Sequence, residues 1–177
     1  MRLNNETLGV TSISLKAMLV IDRHPLHEYL NKKLMMESLD ADYSISGTTN
    51  IKAQRSQWST KSPTIEVIQK WVESIIISHY NIHSRGYKFS YSGSWFVRYN
   101  KGDYTIPHNH HLSWMSWVYF INCPKDSSPL VLTDSGKRIS AEEGKVAIFP
   151  GFVRHEVPVS NCENRVVLAC NMNCPYQ

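Results

Sequence analysis

The sequence predicts an α+β fold in which helices come first and a small β-barrel or jelly roll follows. Apolar residues recur at helical spacing in the first half, whereas from Lys88 they alternate with a period of two in short runs. Many short strands with helices only before them favour a barrel braced by helices. We therefore expect one domain over residues 1–177, with a helical support region at 1–87 and a β-barrel core at 88–177.

The first half contains one weak strand signal and two helix signals. Weak alternation over Ile13–Ile21 predicts an opening strand, and apolar residues at helical spacing predict a helix over Pro25–Leu39. The polar segment Asp40–Ser62 is predicted to be irregular. The clearest helix follows it, because Ser62 suits an N-cap and Pro63 suits the first turn.

The second half reads as a series of strands separated by Gly, Pro, Asp and Asn. The predicted strands are Phe89–Tyr99, Leu112–Ile121, Leu130–Leu132, Val146–Phe149 and Arg165–Asn171.

Composition narrows the function classes. A hydrophobic content of 42% and a charged content of 19% are ordinary for a globular domain. The net charge of +4 is scattered, which argues against a nucleic-acid-binding arm. There is no signal-peptide pattern and no apolar run of about 18 residues, so we expect a cytoplasmic protein without a membrane partner. The four cysteines include no CxxC pair and are expected to be free thiols. The sequence does not reveal an oligomeric state.

Three histidines form a candidate metal site. His108 and His110 are two residues apart, so on a strand they would point to one face. The pair alone is equally compatible with exposed or packed side chains. His155 follows an apolar strand and a turn, as expected of a third ligand at a barrel mouth. Neutral imidazoles bind iron, zinc, copper or nickel.

Arg165 is a candidate anion-binding residue. It begins the apolar run Val166–Ala169, where a buried cation is costly unless it is paired. A bidentate carboxylate ligand would satisfy it. A salt bridge at the end of the strand is the structural alternative.

The segment Arg98–His110, with Tyr99, Gly102 and Tyr104 ahead of the two histidines, resembles 2-oxoglutarate- and Fe(II)-dependent oxygenases of the prolyl 4-hydroxylase type. The later segments are similar to oxygenases assigned in tailed bacteriophages of marine bacteria. These segments are Trp117–Asn122, Gly144–Pro150, His155 and Arg165–Asn171. The resemblance covers residues 89–173, with a weaker likeness at 50–58.

The resemblance implies a fold, a site and an activity. The fold would be a double-stranded β-helix, a jelly-roll or cupin-like barrel. His108, His110 and His155 would bind Fe(II), and Arg165 would bind the distal carboxylate of 2-oxoglutarate. The remaining two implied residues are Tyr99, lining the co-substrate pocket, and Ser116, contacting it.

The implied reaction is a dioxygenase reaction. O2 and 2-oxoglutarate would be consumed, with ascorbate as a compatible reductant, and CO2 and succinate would be released as the substrate is hydroxylated. By analogy the substrate is a protein or peptide side chain such as proline, although a small molecule remains open. A phage-encoded enzyme would act in the host cytoplasm.

The chain departs from the family pattern at two positions. His110 stands where an aspartate is usual. A tyrosine that often assists the arginine falls at Phe120, with Tyr119 shifted by one residue.

Two other readings stay open. A metal-binding cupin is favoured by the spacings Gly102-x5-His108-x-His110 and Gly144-x5-Pro150, although the glutamate that cupins place soon after the second histidine is absent. A non-enzymatic phage module that kept the barrel is the other alternative.

Overall fold

Two antiparallel β-sheets face each other, and two helices cover the outer face of the larger sheet. The computed structural model describes residues 18–46, 49–81 and 88–174. The predicted mainly β architecture with helices in the first half is confirmed.

The major sheet has six strands in the order β1-β9-β6-β11-β4-β3. Its strands are β1 (Val20–Arg23), β3 (Gln54–Arg55), β4 (Ser90–Tyr99), β6 (Met115–Asn122), β9 (Lys145–Pro150) and β11 (Arg165–Asn173). The minor sheet has the order β2-β5-β10-β7-β8. Its strands are β2 (Ile51–Lys52), β5 (Tyr104–His108), β7 (Leu130–Leu132), β8 (Lys137–Ile139) and β10 (His155–Val157).

The helices are α1 (His27–Leu39) and α2 (Pro63–His79). Ser62 caps α2 as predicted, because its Oγ accepts a hydrogen bond from the amide of Ile65 at 3.0 Å. The apolar stripe of α2 packs with α1 against the outer face of the major sheet, where the first hydrophobic core lies. This packing supports the sheet from behind and leaves its other face free to form a cavity.

The second hydrophobic core lies between the sheets. The period of two along β11 divides its side chains between the two cores. Val167 belongs to the core between the sheets, whereas Leu168 belongs to the core under the helices. On the same reasoning Arg165, Ala169 and Asn171 face the inside of the sandwich.

The long predicted strands are confirmed to within a few residues at their ends. The segment 40–62 was predicted to be irregular, and this is wrong, because β2 and β3 cross there from the minor to the major sheet. Strands this short have no periodicity that a sequence can display. β1 begins at Val20, and residues 13–17 of the predicted opening strand lie outside the described residues.

The sequence predicts neither a membrane-spanning helix nor a disulfide, and both points can be examined in the described residues. None of their helices is long and apolar enough to cross a membrane. Cys123, Cys162, Cys170 and Cys174 are all free thiols, as the absence of a CxxC pair predicts.

Candidate metal centre

The three predicted histidines come together at one end of the minor sheet. His108 is the last residue of β5 and His155 is the first of β10, and the two are register partners. Their ring centroids are 4.2 Å apart, and His110 lies 4.9 Å from His108 and 5.2 Å from His155. One ligand atom from each ring falls within 4.8 Å of the others, a spacing that could hold a metal ion.

His110 reaches this cluster from a loop. β5 ends at His108, so the expectation that a strand would present both side chains on one face is wrong for His110. Its amide donates a 2.7 Å hydrogen bond to the carbonyl of Gly151, and the amide of Gly151 donates to the carbonyl of Trp114 at 3.0 Å. The loop is thereby fastened to the turn that precedes His155.

The imidazoles are held neutral, as metal ligation requires. Burial, followed by the proximity of His108, lowers the pKa of His155 to about 3 and that of His110 to about 4. Burial also lowers the pKa of His108. Nδ1 of His108 lies 2.9 Å from the carbonyl of Ile106, and Nδ1 of His155 lies 3.0 Å from that of Val153. Because a carbonyl only accepts, both Nδ1 atoms carry the proton and Nε2 is left as the metal-binding atom.

Arg165 lines the same cavity as the histidines. Its side chain is 0% exposed, and Nε, Nη1 and Nη2 have no hydrogen-bond partner among the residues described. The guanidinium carbon lies 4.7 Å from the ring centroid of Tyr99 and 5.5 Å from that of Phe120. Burial lowers the pKa of Arg165, but a guanidinium stays charged at neutral pH. An unpartnered buried cation of this kind calls for an anionic ligand.

The hydroxyls near Arg165 come from both sheets. Tyr99 on β4 is the register partner of Arg165, and its hydroxyl lies 2.8 Å from Oγ1 of Thr105 on β5. Tyr119 points to the other face of the sheet and donates to Asn31 of α1 at 2.8 Å. Phe120, which has no hydroxyl, is therefore the side chain of β6 that faces the arginine.

Ser116 lines the same cavity at a distance from Arg165. It pairs with Asn171 on β11 and donates a 2.8 Å hydrogen bond to the carboxamide oxygen of that residue. Asn171 lies six positions after Arg165 on β11, about 20 Å along a strand. The contact between Ser116 and the co-substrate therefore stays a prediction.

The cavity brings all six predicted residues together. The residues His108, His110, His155, Arg165, Tyr99 and Ser116 all line this one cavity. Thr105 and Asn171 also line the cavity and were not singled out from the sequence. Because alternate residues of a strand share one face, Asn171 could have been predicted to lie on the same face as Arg165. The position of Thr105 depends instead on how the two sheets face each other.

A family described as "Putative 2OG-Fe(II) oxygenase" matches residues 93–141 of the chain. This segment contains His108 and His110, whereas His155 and Arg165 lie beyond it. No curated protein matches the chain.

Several solved structures share the fold over most of their length. The viral collagen prolyl hydroxylase of Paramecium Bursaria Chlorella virus-1, solved as its 2OG complex, has a TM-score of 0.72 at 11% identity and covers 93% of this chain and 98% of its own. A Pseudomonas putida prolyl-4-hydroxylase has a TM-score of 0.66 at 16% identity, covering 88% and 92%. A Trichoplax adhaerens prolyl hydroxylase, in complex with a hypoxia inducible factor peptide fragment, has 0.62 at 13%, covering 89% and 84%.

At these identities the solved structures establish the fold, and the predicted double-stranded β-helix is confirmed. A tailed-phage origin stays a prediction, since the comparisons include a viral protein but no phage protein among those named here. The family match over residues 93–141 and the shared fold confirm the resemblance to the 2-oxoglutarate/Fe(II)-dependent oxygenase superfamily, prolyl 4-hydroxylase-like.

Proposed function

We propose that the protein is a 2-oxoglutarate- and Fe(II)-dependent dioxygenase that hydroxylates a side chain of a protein or peptide. The observation that carries this proposal is the shared cavity. Three neutral imidazoles bring their ligand atoms together, and a buried arginine without a partner among the described residues lines the same cavity. A metal site alone would not require the arginine.

The metal would be held by His108, His110 and His155. The nitrogen donors fit Fe(II), although they fit zinc and nickel as well. None of the three ligands carries a negative charge, so the full charge of a divalent ion stays uncompensated by the protein. This arrangement favours an anionic chelator, which the α-keto carboxylate end of 2-oxoglutarate supplies.

The distal carboxylate of 2-oxoglutarate would pair with Arg165. The guanidinium offers a planar fork of N–H donors that matches a carboxylate. Burial raises the pKa of Tyr99, so its phenol stays protonated and can line the pocket as a donor. Ser116, at the other end of the cavity, is proposed to contact a bound ligand there.

When bound, Fe(II) and 2-oxoglutarate supply the oxidative chemistry, in which O2 is consumed and CO2 and succinate are released as the substrate is hydroxylated. The chain's own residues orient the reactants and exclude water. The apolar walls formed by Val97, Val167 and Phe149 shield the reacting centre from solvent.

A peptide substrate is supported by the surface next to the histidines. Leu112, in the loop after His110, is 87% exposed, and Phe152, in the turn before His155, is 56% exposed. Exposed apolar side chains in these two loops would offer contact area to a peptide that enters the cavity. Two of the structurally similar proteins are named for collagen and for a hypoxia inducible factor peptide.

The test is anaerobic titration of the Fe(II) protein with 2-oxoglutarate. We expect the weak visible absorption of the metal chelate, lost in His155→Ala and shifted to higher 2-oxoglutarate concentration in Arg165→Ala. In air, the protein should convert 2-oxoglutarate to succinate slowly without a prime substrate, whereas His155→Ala should not and Arg165→Ala should need a higher 2-oxoglutarate concentration.

Two results would reject the proposal. Tight zinc or nickel binding without a 2-oxoglutarate-dependent absorption would favour the cupin reading. A protein that binds no metal after anaerobic reconstitution would favour a non-enzymatic barrel module.

A further inference from the structure

The part of the cavity around Arg165 contains a polar residue, Thr105, that the sequence did not predict to belong to the site. This inference rests on the proposed function, because it concerns how 2-oxoglutarate is held on Arg165. The guanidinium is bordered by the rings of Tyr99 and Phe120, and Phe120 offers no hydrogen bond. A carboxylate bound there would need donors beyond the arginine to satisfy its oxygens.

Few hydroxyls can provide such a donor. Among the described residues that line the cavity, only Tyr99, Thr105 and Ser116 carry hydroxyl groups. Ser116 is committed to Asn171 at the distant end. Tyr99 and Thr105 are 3% and 4% exposed, and their oxygens are 2.8 Å apart.

Proton counting shows what this pair can do. Each hydroxyl has one proton, and the 2.8 Å hydrogen bond uses only one of the two. The Tyr99 hydroxyl also faces the guanidinium of Arg165, toward which it can act only as an acceptor, so that contact uses no O–H proton. One O–H is therefore left to donate into the cavity, and the buried cation beside it draws an anion to that position.

We propose that Thr105 is a further co-substrate-binding residue, which forms with Tyr99 a hydroxyl pair that donates a hydrogen bond to the distal carboxylate of 2-oxoglutarate on Arg165. Thr105 belongs to the minor sheet, as the register partner of Val157, whereas Tyr99 and Arg165 belong to the major sheet. The bound carboxylate would thus be held from both sheets. The pair takes the place of the hydroxyl that Phe120 lacks.

The experiment measures the affinity of the anaerobic Fe(II) protein for 2-oxoglutarate and for oxalate. Oxalate chelates the metal but has no distal carboxylate. Thr105→Val keeps the shape of the side chain and removes its hydroxyl, so we expect about tenfold weaker binding of 2-oxoglutarate and unchanged binding of oxalate. Thr105→Ser should restore affinity for 2-oxoglutarate to within about threefold of the wild type.

Two controls separate this role from a structural one. Thr133→Val removes a buried hydroxyl that has no hydrogen-bond partner among the described residues, so it should change neither affinity. In a double-mutant cycle, Thr105→Val with Tyr99→Phe should weaken 2-oxoglutarate binding no more than the stronger single change, because the two hydroxyls act as one donor.

Three results would overturn the inference. The first is a Thr105→Val protein that binds 2-oxoglutarate within twofold of the wild type. The second is an equal loss of oxalate binding, which would indicate a distorted metal site. The third is a wild-type protein that binds oxalate but not 2-oxoglutarate, and that result would also reject the proposed function.

Discussion

At the scale of single residues, Arg165 costs stability in the absence of its ligand. Its three guanidinium nitrogens are buried without a hydrogen-bond partner in the described part of the chain. We expect Arg165→Met to raise the free energy of unfolding of the metal-free protein by about 1–2 kcal/mol, because an apolar side chain of similar length removes an unpaired buried charge. Urea denaturation would measure the change.

The same substitution should weaken the binding of 2-oxoglutarate, so stability and binding would move in opposite directions. Lys101→Met is a suitable control, because Lys101 is exposed and its replacement should change stability by less than about 0.5 kcal/mol. A destabilised Arg165→Met protein would show that the cation is stabilised by contacts rather than held for a ligand.

The buried imidazoles should make the metal-free protein sensitive to acid. The pKa of His155 is lowered to about 3 by burial, whereas an unfolded histidine takes up a proton near pH 6.5. Between these values only the unfolded chain binds that proton. Stability is therefore fully present above about pH 6.5 and is lost as the pH falls toward 3, by up to about 1.4 kcal/mol per pH unit.

His155→Asn isolates the contribution of this residue, because asparagine can still donate to the carbonyl of Val153 but does not titrate. The unfolding free energy of the variant should vary less steeply with pH between 4 and 6.5. Parallel curves for the variant and the wild type would contradict the lowered pKa of His155.

The sequence could predict the residues of the site that are proposed to bind the metal and the carboxylate. His108, His110, His155 and Arg165 were proposed from spacing, strand context and family resemblance, and the structure places them in one cavity. Thr105 could not be proposed in this way. Its strand, β5, was not recognised from the sequence, and its position beside Tyr99 depends on how the two sheets face each other.

At the scale of elements, Gly151 links the two loops that carry the histidines. A Cβ at this position would collide with the backbone oxygens of Ser113 and His110. We expect Gly151→Ala to displace the loop of His110 and weaken metal binding by at least about tenfold, because a small misplacement of a ligand is costly. Titration of the metal-free protein with Co(II), followed by visible absorption, would measure the affinity.

Gly136→Ala provides the matched control. Gly136 has a φ of +65°, so a side chain there is strained, but no atom lies within 4 Å of the added Cβ. This variant should lose about 1 kcal/mol of stability and keep the metal affinity of the wild type. Equal affinities for the two variants would show that the loop of His110 does not depend on Gly151.

Prediction from the sequence succeeded for long elements and failed for short ones. Strands such as β4 and β11 show enough alternation to be recognised, and Ser62 with Pro63 signals the start of α2. β5 and β10 were not recognised, although each carries a metal-site histidine. β10 has three residues, and β5 contains Pro107, which weakens a strand signal.

At the scale of the whole molecule, the site depends on long-range pairing that a single sequence does not display. β5 pairs with β10, and β4 pairs with β11, across large separations along the chain. The two hydrophobic cores have different roles. One packs the helices against the major sheet, and the other surrounds the cavity. The outer core can therefore keep the cavity residues in place without filling the cavity.

This arrangement predicts that the co-substrate links the two sheets. His108 and His155 belong to the minor sheet, whereas Arg165 and Tyr99 belong to the major sheet. A molecule bound to the metal at one end and to Arg165 at the other would stabilise their association. With Zn(II) as a redox-inert metal, we expect 2-oxoglutarate at about 100 times its Kd to add about 2.7 kcal/mol, or roughly 5–10 °C in Tm.

The full increase in Tm should require both ends of 2-oxoglutarate, and it should require both the metal and Arg165. Oxalate should raise the Tm of the Zn(II) protein because it binds the metal. It has no distal carboxylate for Arg165, so the rise should be the same in Arg165→Met. The further rise with 2-oxoglutarate should disappear in Arg165→Met and, without metal, in the wild type, because a single carboxylate contact binds weakly. Equal stabilisation by 2-oxoglutarate with and without Zn(II) would place the ligand elsewhere, since the bridge between the sheets exists only when the metal holds one end.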